Sequence, residues 1–138
     1  MSPTPNQLAG YVFGATFIAL GILGFTVSGE HDFAGQHGGQ LLGVFEVNTL
    51  HNIIHLIAGS TLIAGAAAGA TVSRKVNLTL GVIYLVVGVL GLFIGSTSLN
   101  LLALNGADNF VHLAESVTLI GLGLVGDRYH SKRMVTST

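Results

Sequence analysis

The residues in this chain that could do chemistry are gathered in a short phrase that occurs twice. Residues 48–56 read NTLHNIIHL, and residues 105–113, 57 positions on, read NGADNFVHL. Asn48, Asn52 and His55 recur as Asn105, Asn109 and His112, while His51 is matched by Asp108. Glu115 follows His112 by three residues, one helical turn, as in carboxylate bundles that hold metal ions. His51, His55, Asp108, His112 and Glu115 offer the nitrogen and carboxylate donors that zinc, iron or manganese accept, and the same groups could relay a proton. His55 and His112 alone could instead ligate the two faces of one haem. The plainest use of the phrase is structural: Asn48 and Asn105 cap helices, and Asn52, His55, Asn109 and His112 cross-link them. Interhelical polar contacts contribute about 0.6 kcal/mol on average and about 1–2 kcal/mol in good cases, enough to fix a register.

The elements that must position these residues are apolar helices. The chain has 138 residues, enough for one domain, yet only 8% are charged where soluble domains carry roughly 25%. Residues 8–28 and 76–96 contain no charge, and 49–72 and 108–126 form two further spans with polar residues near their starts. At about 1.5 Å per residue each can cross a hydrocarbon core of about 30 Å. This predicts an all-α integral membrane protein, a single domain over 1–138 folded as an up-down-up-down bundle of four transmembrane helices. A soluble amphipathic helix would need a charged face that these runs lack. MSPTPNQ carries no Lys or Arg and precedes a long apolar run, so a cleavable signal peptide is not expected. The chain has no Cys, which excludes disulfides and thiolate metal sites. No span contains Pro, so straight helices are expected.

The five basic residues set the orientation. Arg74 and Lys75 lie between spans two and three, and Arg128, Lys132 and Arg133 follow span four. The other two connections carry Glu30, Asp32, Glu46 and Asp108 instead. By the positive-inside rule both termini are cytoplasmic and the 29–47 loop is outside. The doubled phrase belongs to a longer duplication: TLI at 61–63 recurs at 118–120, and FIALGILGF at 17–25 resembles YLVVGVLGL at 84–92, with Gly21 over Gly88 and Gly24 over Gly91. Repeat one (8–72) and repeat two (76–126) are thus tandem, parallel hairpins related by a pseudo-two-fold axis along the membrane normal. GYVFG at 10–14, GAAAG at 65–69 and GLFIG at 91–95 are small-xxx-small pairs through which a second copy or a partner membrane protein could dock.

The pattern LLGVFEVNTLHNIIHLIAG followed by LNGADNFVHL, on four spans, resembles the family catalogued as domain of unknown function 4383. The resemblance covers essentially the whole chain. It implies a bacterial plasma-membrane protein and no particular activity. Glu115 has Ala58 at its matching position and stands outside the repeat.

The expected function is therefore a non-enzymatic membrane component, a small-complex subunit or scaffold with a buried Asn/His site near the outer face and no cofactor. Two alternatives assign the site a ligand. In the first, His55 and His112 hold a haem b, as in b-type cytochrome bundles, with Gly21, Gly24, Gly88 and Gly91 making room for porphyrin edges and Asn52 and Asn109 orienting the imidazoles. In the second, His51, His55, His112, Glu115 and Asp108 form a transition-metal or proton site, with His51 or His112 pairing the costly Glu115 carboxyl. The loop SGEHDFAGQHGGQ at 28–40, despite His31, Asp32 and His37, reads as a solvated connection. QLLGVFEV at 40–47 has the content of an interfacial segment, and the basic tail suits anionic lipid. Nothing resembles a phosphate loop, a Ser-His-Asp constellation or a nucleic-acid surface.

Overall fold

The computed structural model describes residues 2–127; the basic tail with Arg128, Lys132 and Arg133 lies outside the described residues. Four helices dominate: α1 (Pro5–Ser28), α2 (Thr49–Ala67), α3 (Ala70–Ile94) and α4 (Gly106–Gly121), the last extended by one π-helical turn over Leu122–Gly126. All four, the π turn included, are long and apolar enough to cross a membrane. The connection between α1 and α2 folds into a small antiparallel hairpin of β1 (Gly39–Leu41) and β2 (Phe45–Val47).

Local chemistry sets where these elements begin. Thr4 and Gln7 form a capping box: Thr4 Oγ1 accepts from Gln7 N at 3.3 Å, and Gln7 Oε1 accepts from Thr4 N at 3.1 Å. Pro5 occupies the first helical turn, where its missing N–H costs nothing. Asn48 caps α2, and Asn105 with Asp108 forms a second capping box on α4. The tight reversal from α2 to α3 turns on Gly69 at φ 114, a conformation that glycine adopts without strain. The run at 40–47, expected as an interfacial segment, pairs with itself because Leu42 (φ 54) and Gly43 (φ 70) reverse it, which buries Leu41 and Val47.

The sides of the helices are inverted relative to a soluble protein. Large apolar groups cover the outside, with Phe93 76% and Phe110 73% exposed and Val12, Ile22, Ile57 and Val117 alongside them. Such a surface is suited to lipid rather than water. Inside, Phe17, Leu62 and Leu119 are fully buried, and the Phe17 and Tyr84 rings stack with centroids 5.1 Å apart.

α1 packs chiefly on α2, and α3 on α4. Glycines permit the close approach: a Cβ on Gly14 would stand 2.8 Å from the Gly59 carbonyl, and one on Gly59 2.6 Å from that of Gly14. Gly10 faces Ala66, Gly65 faces Val76, and Gly91 faces Asn109. Gly10, Gly14, Gly65 and Gly91 are thus spent on packing within the chain. They do not form the free faces expected to receive a second copy or a partner.

At the end of the bundle where α2 meets α3, Asn6 forms a buried knot. Ser73 Oγ donates to its carbonyl at 2.8 Å, and Asn77 Nδ2 to its carbonyl and side-chain oxygen at 3.0 Å each. The π turn breaks the α hydrogen-bond ladder near the end of the fourth span. Its carbonyls have outside donors: Asn6 Nδ2 reaches Leu122 O at 3.0 Å, and Arg74 Nε reaches Gly123 O at 2.7 Å. Side chains of α1 and α3 satisfy what the α ladder gives up.

Candidate functional site

The other end of the bundle, where the two longer connections meet, carries the doubled phrase. Asn48 is fully buried and makes three bonds: its Oδ1 accepts from His51 N at 2.9 Å, while its Nδ2 donates to Gly35 O at 3.1 Å and Leu101 O at 2.9 Å. One side chain thus caps α2 and ties both loops to it. Backbone bonds continue the seam, from Gly35 N to Leu101 O at 3.0 Å and from Ala103 N to Gly35 O at 2.9 Å. Asn105 Oδ1 accepts from Asp108 N at 3.0 Å, and its Nδ2 donates to Val44 O of the hairpin at 2.8 Å. Asp108 Oδ2 accepts from Asn105 N at 3.0 Å and Glu46 N at 3.3 Å.

Below these caps three imidazoles converge. His51, His55 and His112 are all buried, and each offers a ligand atom within 4.8 Å of the others. Ring centroids are 4.6 Å apart for His51 and His55, 5.7 Å for His51 and His112, and 6.1 Å for His55 and His112. Aromatic rings from the other two helices support them: Phe17 of α1 stacks on His55 at 5.4 Å, and Tyr84 of α3 meets His112 edge-on at 5.1 Å. Two small cavities flank the pair His55/His112. One, about 30 Å³, is lined by Asp108 and Glu115 as well as Leu20 and Phe45; the other, about 40 Å³, by His51, Tyr84 and Leu102.

Several expected partnerships are absent. Asn52 and Asn109 do not cross-link spans two and four, nor do they orient the imidazoles. Asn52 lies against Gly24 and donates from Nδ2 to Ser28 Oγ at 3.0 Å, so it faces α1; Asn109 lies against Gly91 and faces α3. Glu115 does not pair with His51 or His112: its Oε2 is buried without a hydrogen-bond partner among the described residues. The glycines expected to make room for porphyrin edges pack against side chains of the facing helix. Asn52 and Leu56 fill the space beside Gly24 and Gly21, and Asn109 and Leu113 that beside Gly91 and Gly88. Both cavities fall far short of the roughly 300 Å³ at which organic-ligand pockets begin.

His31 and Asp32 lie exposed in the first loop, and His37, 81% exposed by its side chain, stands 3.9 Å from Glu46. None joins the buried cluster. Tyr84, Phe17 and the Leu102 carbonyl also belong to the site, outside the residues expected from the doubled phrase. The alignment of FIALGILGF with YLVVGVLGL held a signal for two of them, since it sets Phe17 over Tyr84.

No curated protein and no solved structure matches this chain. A family model described as a domain of unknown function (DUF4383) matches residues 7–125, most of the chain, and the protein belongs to that family.

Proposed function

We propose that this protein is a non-enzymatic, multi-pass component of a bacterial plasma membrane, a scaffold or small-complex subunit. Its interior polar belt locks two tandem helical hairpins together. The hairpins, repeat one over 8–72 and repeat two over 76–126, run up-down-up-down and are related by a pseudo-two-fold axis along the membrane normal. The observation that carries this reading is a doubled contact: Asn52 seated on Gly24 in one half, Asn109 seated on Gly91 in the other. Phe17 on His55 and Tyr84 on His112 repeat the same relation deeper in the bundle. The buried serine hydroxyls also support a structural role. Ser28 accepts from Asn52, Ser73 donates to Asn6 O, and Ser116 donates to Leu113 O at 2.7 Å, so each serves the scaffold.

Charge supports an orientation with both termini in the cytoplasm. Arg74 and Lys75 stand at the α2–α3 end of the bundle, whereas Glu30, Asp32 and Glu46 lie in the connection at the opposite end. Single cysteines can be read unambiguously because the chain has none of its own. In intact cells an impermeant thiol reagent is expected to label Asp32→Cys and to leave Thr71→Cys unlabelled until the membrane is opened. The reverse pattern would overturn the orientation, and labelling of both in intact cells would overturn the four crossings.

A further inference from the structure

The buried imidazoles are left in a state that hydrogen bonding does not account for. His51 donates its Nδ1–H to the Leu102 carbonyl at 3.0 Å; since a carbonyl can only accept, the tautomer is fixed and Nε2 keeps its lone pair. That Nε2 is buried with no partner among the described residues, as are His112 Nδ1, Glu115 Oε2 and the Tyr84 hydroxyl. These four orphaned polar atoms belong to residues lining the two cavities that flank His55 and His112, and they oppose folding unless something else satisfies them.

We propose that His51, His55 and His112 bind one divalent first-row transition-metal ion, with Glu115 completing its coordination. The three imidazole donors already lie within 4.8 Å of one another. An ion at about 2.0–2.1 Å from each nitrogen sets them roughly 3.3 Å apart in a tetrahedral site, a closure that small ring rotations supply. The bond from His51 to Leu102 O is the outer contact that orients a metal-bound histidine and fixes which nitrogen faces the ion. Three neutral imidazoles leave the ion's double charge uncompensated in a low-dielectric interior. Glu115 stands outside the 4.8 Å cluster but lines a cavity shared with His55 and His112, with one oxygen free, and turns toward the ion to complete the site. Asp108 borders that cavity too, but its Oδ2 is committed to the backbone of Asn105 and Glu46. An imidazole-rich set without thiolates suits Zn²⁺, Co²⁺ or Fe²⁺ rather than Ca²⁺ or Mg²⁺. The repeat explains why one ion binds rather than two: His51 and Glu115 correspond to Asp108 and Ala58 in the other half, so the complete ligand set exists once.

The test uses the full chain in mild detergent, stripped with a chelator and then titrated with Zn²⁺ or Co²⁺. One ion per chain is expected by elemental analysis. The Co²⁺ form should show the visible bands of a four-coordinate site, and Zn²⁺ should raise the unfolding midpoint of the unmodified protein. His51→Gln and His112→Gln should each weaken binding by more than the roughly 10–100-fold that loss of an outer partner costs. Glu115→Gln should weaken binding and shift the Co²⁺ spectrum, whereas the exposed-loop double variant His31→Ala/His37→Ala should retain the ion. Should a buried variant fail to fold, the Zn²⁺-dependent midpoint of the unmodified protein and of the loop variant still decides. Failure to take up stoichiometric metal, an unchanged midpoint, or an ion lost with the loop histidines but kept without His51 and His112 would overturn the proposal.

Discussion

Leucine at Gly24 or at Gly91 is expected to be among the most damaging single changes in this protein. A Cβ at either position would fall onto the side-chain amide of the facing asparagine, Asn52 or Asn109. Asn52 cannot simply turn away, because its Nδ2 is bonded to Ser28 and its side chain is fully buried. Overpacking of this kind costs about 1–3 kcal/mol, and an amide forced from its partner adds about 1–3 kcal/mol. The combined loss should reach about 3 kcal/mol or more, read as a lower unfolding midpoint in denaturing detergent. Gly29, with open space where a Cβ would go, is the control, and Gly29→Leu should stay within about 0.5 kcal/mol of the parent. Pairing Gly24→Ala with Asn52→Ala should recover part of the loss from Gly24→Ala alone, since the two sites share one contact. Equal midpoints for Gly24→Leu, Gly91→Leu and Gly29→Leu would show that the asparagines do not sit on these glycines.

The second large effect is expected at Asn48. Its replacement by Ala removes the cap of α2 and one of the two donors to each of two loop carbonyls, Gly35 O and Leu101 O. Loss of a cap costs about 0.5–2 kcal/mol, and the two lost hydrogen bonds to the loops add about 0.5–1.5 kcal/mol each. Asn48→Ala should therefore destabilise by about 3 kcal/mol. Its counterpart Asn105 is only half-buried, and its Nδ2 serves a single hairpin carbonyl, so Asn105→Ala should cost about 1 kcal/mol. Asn48→Asp separates the two jobs: the carboxylate still caps the helix but faces both carbonyls without a donor. It should be nearly as damaging as Ala. An Asn48→Asp protein close to the parent in stability would mean that capping alone matters and that the two loops are not tied through this side chain.

Much of the scaffold was legible because lipid imposes a severe compositional rule. A helix that crosses hydrocarbon must be apolar along its length, and four such runs can be read directly from the residues. Capping positions are similarly legible, since Asn at a helix start has a local job that distant packing does not alter. The rotation of each helix about its own axis is another matter. Asn52 and Asn109 share a stripe with the histidines, but a stripe spans a wide arc, and glycines on α1 and α3 drew the amides sideways. The same glycines read equally well as berths for a porphyrin or faces for a partner, because small residues mark close approach without saying what approaches. Tyr84 sat unnoticed in an apolar run, and the Leu102 carbonyl that orients His51 is a backbone atom with no letter to announce it. The strands at 39–47 were hidden for a related reason, since a positive φ at Leu42 is not a preference of leucine.

The two halves of the chain close over one shared interior at the end where the loops meet. The backbone bridge between Gly35 and Leu102 is the seam of that closure, with Gly35 bonded to Leu101 O and Ala103 N and with Asn48 and His51 attached beneath it. Bridged residues in neighbouring strands lie close enough for a disulfide, which needs Cα atoms about 4.4–6.8 Å apart. Open space at Gly35 admits the new side chain. The decisive measurement is mild oxidation of the Gly35→Cys/Leu102→Cys double variant in native membranes, followed by gel analysis of the single chain. Rapid, near-complete formation of an intramolecular disulfide is the predicted result, with none in a Gly35→Cys/Leu124→Cys control. Failure of the first pair to cross-link while both cysteines remain reactive to a thiol reagent would show that the two loops do not meet at this seam.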